Sequence, residues 1–297
     1  MYPDRPVHLI VPLGKDGATD SLARLIAARL TQHWGQEVEV QNHPGNGAIT
    51  GTLLAAAAPA DGYALLLGTS TTHCIAPAVH ADLPYDPQAD FSPISLIGWA
   101  PNLLLVHPSG PDNVEELLAR ARAHPGALTY ASAGAGQTIH LCAALLATMA
   151  GVELTHRPYP QGSMAGLQDL LDGRVDLMCD NVMVALPYLR AGRLKALAVA
   201  GALRTPALPD LPTLDEAGLT GYAAEIWMGL FAPAGTPPAI VAQIQHDLRI
   251  VLGHTDLVGT LDARGFMLDV KPGAEFAAEI ADNAAQWRDI VQLCQIA

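Results

Sequence analysis

The sequence predicts an α/β fold of two lobes with a ligand cleft between them. Three observations carry this expectation. Short apolar runs alternate with amphipathic helical patterns; a turn-rich stretch interrupts the alternation, which then resumes as a second series; and a late strand with two helices leads back toward the first series. Strand–helix–strand alternation marks a doubly wound, mainly parallel sheet, because parallel neighbours need a crossover long enough for a helix.

The elements follow in order. VHLIVP (7–12) reads as a buried strand. SLARLIAARLTQHW (21–34) places Leu22, Leu25, Ile26 and Leu30 on one helical stripe. VEVQN (38–42) is a second strand, GAITGTLLAAAA (47–58) a helix opened by the glycines of NHPGNG, and YALLLGT (63–69) a third strand. HADLPYDPQADFSP (80–93) is turn-rich and ends the first series. ISLIGWA (94–100) and NLLLVHP (102–108) read as strands, VEELLARARAHPG (114–126) as a helix with a Pro-Gly stop, and LTYASAG (128–134) as a strand. A helix over about 139–149, HRPYP (156–160), a helix over 164–173, a strand over 175–181, a helix over 185–192 and a strand over 194–201 complete the second series. The proline-rich stretch 204–222 reads as a connector and IWMGLFAPAG (226–235) as a strand leading back. Helices over 237–253 and 273–292 close the chain. If these helices complete the first sheet, lobe 1 comprises residues 1–101 plus 229–297, lobe 2 comprises 102–228, and the chain crosses twice. Ligands then bind between the lobes at the carboxyl ends of the parallel strands.

Composition narrows the partners. Half of the 297 residues are hydrophobic and only 5% aromatic, so the core is built mostly of Ala, Leu and Val. The formal net charge is −13, and no Lys/Arg cluster forms the basic stripe that a nucleic acid or an anionic membrane surface requires. No apolar run is long enough to span a bilayer. Tyr2-Pro3-Asp4 follow Met1 with neither a basic n-region nor an apolar h-region, so a signal peptide is expected to be absent from this sequence. Cys74, Cys142, Cys179 and Cys294 form no CxxC, which argues against zinc and fits small buried apolar residues.

Four small, polar loops each follow a strand and precede a helix: PLGKDGATD (12–20), GTSTTHCI (68–75), SAGAGQTIHL (132–141) and CDNVMVALP (179–187). Backbone N–H groups at a helix N-terminus, with the helix dipole, favour an anion. Ser70, Thr71, Thr72, Gln137 and Thr138 add neutral donors, so a carboxylate could be held without a buried arginine. Any one loop could equally be a cap or tight turn serving only the fold. Asp180 could accept from a ligand ammonium, hydroxyl or water, or cap the helix beginning near Val184. Thr19 and Asp20 are expected to cap the first helix. Trp227 reads as core rather than cleft wall.

Catalytic templates are missing. There is no GxSxG, no Walker GxxxxGK[ST] and no HExxH, and GNGAITG (45–51) has its third glycine one residue late for a dinucleotide fingerprint. His73, His140 and His156 have no acidic partner at metal-ligand spacing, and no cofactor or metal is implied. Adjacent His73 and Cys74 point differently and make a poor nucleophile–base pair.

The ordered set YPDRPVHLIVP, NHPGNGAITG, APADGYALLLG, LPYDPQADFSPISLIG, SAGAGQTIHL, VDLMCDN, ALPYLRAGRLKALAV, LPDLPTLDEAGLTGY and WMGLFAPAGTP resembles the substrate-binding proteins of tripartite tricarboxylate transporters, the Bug receptors, over nearly the whole chain. The resemblance implies a non-catalytic periplasmic binding protein of type II-like architecture. It would act as a monomer, closing on a di- or tricarboxylate, an acidic amino acid or an aromatic acid and delivering it to a membrane permease. Positions matching the ligand site are Leu13, Gly14, Lys15, Asp16 and Gly17; Ser70, Thr71, Thr72 and His73; Ala133, Gly134, Gly136, Gln137, Thr138 and His140; and Asp180 with Asn181. Two departures fall there. The family's first turn reads like PFPAGGGTD, whereas Leu13, Gly14, Lys15, Asp16 and Ala18 stand here. Its PYKGG-like stretch appears as PYPQGS (158–163), which brings Tyr159 into the candidate site and replaces a lysine by Pro160. Lys15–Asp16 is either a solvated pair at the cleft rim or the element that selects the ligand's second functional group. An enzyme on a similar bilobal scaffold and a ligand sensor for a signalling partner are the competing readings.

Overall fold

The computed structural model describes residues 2–160, 162–224 and 226–296, so Gln161 of the PYPQGS stretch lies outside the described residues. In the first series β1 (Val7–Val11), α1 (Ala18–Trp34), β2 (Val38–Asn42), α2 (Ile49–Ala56), β3 (Ala64–Thr69), the single turn α3 (Ala76–Val79) and β4 (Phe91–Trp99) follow one another. The second holds β5 (Asn102–Val106), α4 (Val114–Ala123), β6 (Thr129–Ser132), α5 (Thr138–Ala150), β7 (Thr155–Pro158), α6 (Ser163–Leu171), β8 (Leu177–Asn181), α7 (Val182–Arg190) and β9 (Lys195–Val199). The chain then returns through β10 (Trp227–Pro233), α8 (Pro238–Leu252), α9 (Thr255–Ala263), β11 (Met267–Pro272) and α10 (Gly273–Leu293).

Two sheets result, in the orders β11-β4-β10-β3-β1-β2 and β7-β6-β8-β5-β9. The chain leaves the first between Trp99 and Asn102 and returns to it between Val199 and Trp227. Both sheets are mixed, which refines the mainly parallel expectation. In the first, β1 to β4 run one way and β10 and β11 run against them. In the second, β6 to β9 run one way and β5 runs against them. The strand–helix rhythm reports only strands joined by helices within a sheet. β5 and β10 arrive from the other sheet without such a crossover, so each slots in antiparallel.

The sequence pattern missed α9 and β11. β11 is an edge strand, partly exposed along its length and interrupted by Asp269 and Lys271, so it lacks the apolar run of a central strand. α7 starts at Val182 rather than near 185 because Asn181 caps it, accepting the Met183 N–H at 3.1 Å. Trp227 is core, as expected: fully buried, it meets Phe276 edge-on and donates Nε1–H to Asn283 Oδ1 at 2.9 Å. The connector 204–222 is irregular but anchored by buried Leu214, Leu219 and Tyr222.

All four cysteines are free thiols, and Cys74, Cys142 and Cys179 are buried. Burial pushes the Cys142 thiol up to about 11 and the other two in the same direction. A thiol-specific reagent should therefore modify Cys294 alone in the native protein and all four cysteines after denaturation. Rapid native modification of two or more thiols would contradict this packing.

Candidate functional site

The carboxyl ends of β1, β3, β6 and β8 face one another across a cavity of about 90 Å³. A single water needs roughly 10–15 Å³ by this measure, so the cavity holds a small acid or a handful of waters.

Three helices begin on this cavity. Each contributes its N-cap residue and its first residues to the lining: Gly17, Ala18 and Thr19 of α1; Gln137, Thr138 and Ile139 of α5; Gly162, Ser163 and Met164 of α6. None of the three is capped by a side chain. The sequence places Gly, Gln and Gly where Ser, Thr, Asp or Asn would fill the orphan N–H groups locally. First-turn donors from both sheets' helices thus stay available to an anion, with the dipoles adding to the attraction.

Of the residues singled out in sequence, Leu13, Gly14, Lys15, Gly17, Thr71, Ala133, Gln137, Thr138, Asp180 and Asn181 line the cavity. The others lie elsewhere. Asp16 is exposed, adopts a left-handed φ of +64° and faces an adjoining groove with Ser21 and Arg190. Ser70 accepts the Trp227 N–H at 3.0 Å, tying β10 to β3, and Thr72 closes a turn on Thr69. His73 is buried in the core, stacked on Phe231 at 3.9 Å, with Nδ1 against Thr72 Oγ1 at 2.8 Å. Thr71 to Ile75 form one π-helical turn, which presents Thr71 to the cavity and turns Thr72 and His73 inward.

Gly134, at φ +127°, and Gly136, at φ +70°, shape the 133–138 loop from outside the lining. The Gly136 N–H donates to His140 Nδ1 at 3.2 Å, and His140 stacks on His156 at 4.2 Å. Burial first, then the neighbouring His156, lowers the His140 pKa to about 4, which keeps the imidazole neutral and able to accept. Tyr159 hydrogen-bonds the Asp169 carboxylate rather than facing the cavity.

Two expectations about caps are corrected. α1 starts at Ala18, so its cap position is Gly17, and Thr19 and Asp20 sit inside the first turn. Asp20 instead binds the loop, accepting the Asp16 N–H at 3.0 Å and the Asn42 Nδ2–H at 2.9 Å, and pairs with Arg24. Asp180 does not cap α7 either, because Asn181 holds that position.

Asp180 is 1% exposed. Its Oδ1 accepts the Asn181 N–H at 2.8 Å, and its Oδ2 has no partner. Burial pushes this carboxyl up to about 7, against the opposing pull of the Asn181 N–H and the Ser163 hydroxyl. Lys15, exposed at the rim, is the one Lys, Arg or His among the described lining residues.

Sequence reasoning missed three parts of the site, the first being Gly162, Ser163 and Met164 at the start of α6. Asn102 is fully buried in the lining, with Nδ2 on Cys142 Sγ at 3.3 Å and Oδ1 without a partner. A lone amide opening the apolar run NLLLV was the available signal. The NHPGNG turn contributes Pro44, Gly45, Gly47 and Ala48, with Ala48 held at a left-handed φ of +77°. Such strain in a non-glycine residue clusters at binding sites, but only coordinates reveal it.

The family model described as "Tripartite tricarboxylate transporter family receptor" matches residues 22–296. Protein BugT of Bordetella pertussis is 32% identical over 293 residues, with 98% of this chain and 90% of that one covered. A solved structure described as R. palustris Rpa4515 with adipate superposes with a TM-score of 0.96 at 38% identity, covering 100% of this chain and 99% of that one. Another, MatC (Rpa3494) from Rhodopseudomonas palustris with bound malate, gives a TM-score of 0.91 at 35% identity, covering 98% of this chain and 100% of that one.

Proposed function

Because the chain belongs to the tripartite tricarboxylate transporter receptor family, we propose that it is a non-catalytic periplasmic receptor that binds a small organic carboxylate between its lobes and delivers it to a tripartite membrane permease. The observation that carries this reading is the convergence of three N-termini without side-chain caps, from α1 on one side and α5 and α6 on the other, on one cavity. A carboxylate there receives backbone donors from both sides, and the adipate and malate bound by the two similar structures have that chemistry. With the second boundary moved to the start of β10, we assign residues 1–101 with 227–297 to one lobe and 102–226 to the other, with the two crossovers as hinge. Closure about it would remove water from the ligand's charge. A monomeric receptor suffices for this reading, since the described lining residues all belong to one chain. Lys15 stands where a second carboxylate would meet it, which favours diacids over monoacids.

A thermal-shift panel of short mono-, di- and tricarboxylates, acidic amino acids and aromatic acids, each with its amide, tests the reading. The matched acid at about 100 times its Kd should stabilise the protein by about 2.7 kcal/mol, and its amide should not. The absence of any shift across the panel in a monodisperse sample would remove the proposal.

A further inference from the structure

Asp180 is an acid placed where an anion is to be bound. Its Oδ2 is buried, unpartnered and part of the lining shared with the first turns of α1, α5 and α6. An ionised Oδ2 would face a carboxylate in a small cavity walled by protein, and like charges there repel strongly. Among the described residues no buried cation offsets that repulsion. On β8 the adjacent group is Cys179, and on α5 they are Cys142 and His140; both thiols are buried and the imidazole is neutral. On α6 the hydroxyl of Ser163 lies near, while Asp169 and Asp172 are paired with Arg174. On α7, Arg190 bonds the Ala263 carbonyl, and β5 presents Leu103 beside Asp180. Among the described residues, Lys15 stands across the cleft at its exposed rim, and Asp16 faces the adjoining groove.

We propose that Asp180 serves the cleft as a neutral carboxylic acid, its Oδ2–H donating to an oxygen of the ligand carboxylate, so that above neutral pH, where the empty cleft leaves it ionised, each bound carboxylate brings one proton with it from solvent. The inference rests on the carboxylate reading above and deepens it. The helix N-termini satisfy part of the ligand's charge, and the Asp180 hydroxyl supplies a donor from the cavity wall. The burial that disfavours ionisation in the empty cleft disfavours it further once an anion arrives. Selectivity follows: a bound anion strengthens this donor, whereas a neutral amide gains less from it.

Three measurements test it. Calorimetric titration of malate and adipate at pH 8, in two buffers of different ionisation enthalpy, should show close to one proton taken up per ligand. Apparent affinity should fall about tenfold per pH unit above neutrality. In D180N the amide keeps a donor but cannot titrate, so its affinity should be flat with pH and its proton uptake zero, while D180A should bind more weakly at every pH. Zero uptake by the wild type, or D180N as weak as D180A at pH 6, would overturn the proposal, the latter by making Asp180 an acceptor for a ligand hydroxyl or ammonium. The third measurement is independent of ligand: the infrared spectrum of the free protein at pH 6 should contain a buried protonated-carboxyl band that D180N lacks. Absence of the band also overturns the inference. If the band is present but no acid binds, the carboxylate reading fails while the protonation of Asp180 stands.

Discussion

Replacing Gly17 by Asp is expected to abolish carboxylate binding while leaving the protein at least as heat-stable as before. Gly17 is the N-cap of α1, with φ −79° and ψ 175°, an extended conformation open to any residue. A Cβ there would meet only the Gly14 carbonyl oxygen, at 3.7 Å, an ordinary van der Waals distance. The new carboxylate reaches the N–H groups of Thr19 and Asp20, which have no side-chain cap. Because glycine is itself a fair N-cap, the new side chain contributes only a few tenths of a kcal/mol as a cap, with a few tenths more from the helix dipole. It also occupies the anion's place and repels any incoming carboxylate. Affinity should drop at least about 100-fold, which corresponds to about 2.7 kcal/mol. Calorimetric binding and scanning calorimetry on the same sample decide the matter. Binding within tenfold of wild type would show that the α1 N-terminus does not hold the ligand.

His73 should make one component of stability acid-sensitive. Burial lowers its pKa to about 3, with Nε2 unpartnered and the ring packed among Phe91, Phe231 and Trp227. The folded pKa is depressed, so between about 3 and 6.5 the unfolded chain binds a proton that the native protein does not. The stability tied to a neutral His73 is fully present above about 6.5 and is lost as pH falls through that window. By pH 4 the loss reaches roughly 3 kcal/mol. His140 and His156 are shifted in the same direction, whereas Asp180 has the opposite slope because its pKa is raised. The clean readout is therefore a difference. The unfolding free energy of His73→Phe relative to wild type should improve by roughly 3 kcal/mol between pH 7 and pH 4, whatever packing cost the phenyl ring adds at both. A difference independent of pH would mean that His73 titrates normally in the folded protein.

The strand–helix rhythm and the four polar loops were legible because each depends on local pattern: apolar runs of strand length, helical stripes, and glycine at strand ends. The cavity-lining half of the loop residues was legible for the same reason. What the pattern could not show was which way each side chain turns. Thr72 and His73 sit in the right loop, yet a single π-helical turn sends them into the core, and Ser70 just before it is taken up by the Trp227 N–H. Asn102 reaches the lining because β5 enters its sheet antiparallel, so the start of that strand lies beside the end of β8. That is a fact of tertiary pairing, invisible in NLLLV. The edge strand β11 and the caps of α1 and α7 escaped for complementary reasons, one through weak alternation and the others through a three-residue shift in where a helix begins.

The position of β10 bears on how the chain is made. It separates β3 from β4, so the strands supplied by the first 99 residues cannot assemble in their final order until residue 227 has been synthesised. The second sheet draws only on 102–199 and is complete more than two dozen residues earlier. During synthesis from the N-terminus, the half that is begun first is finished last. Its apolar strands wait unpaired along the β10 slot until the final quarter of the polypeptide arrives, a long-range closure of the kind that slows folding.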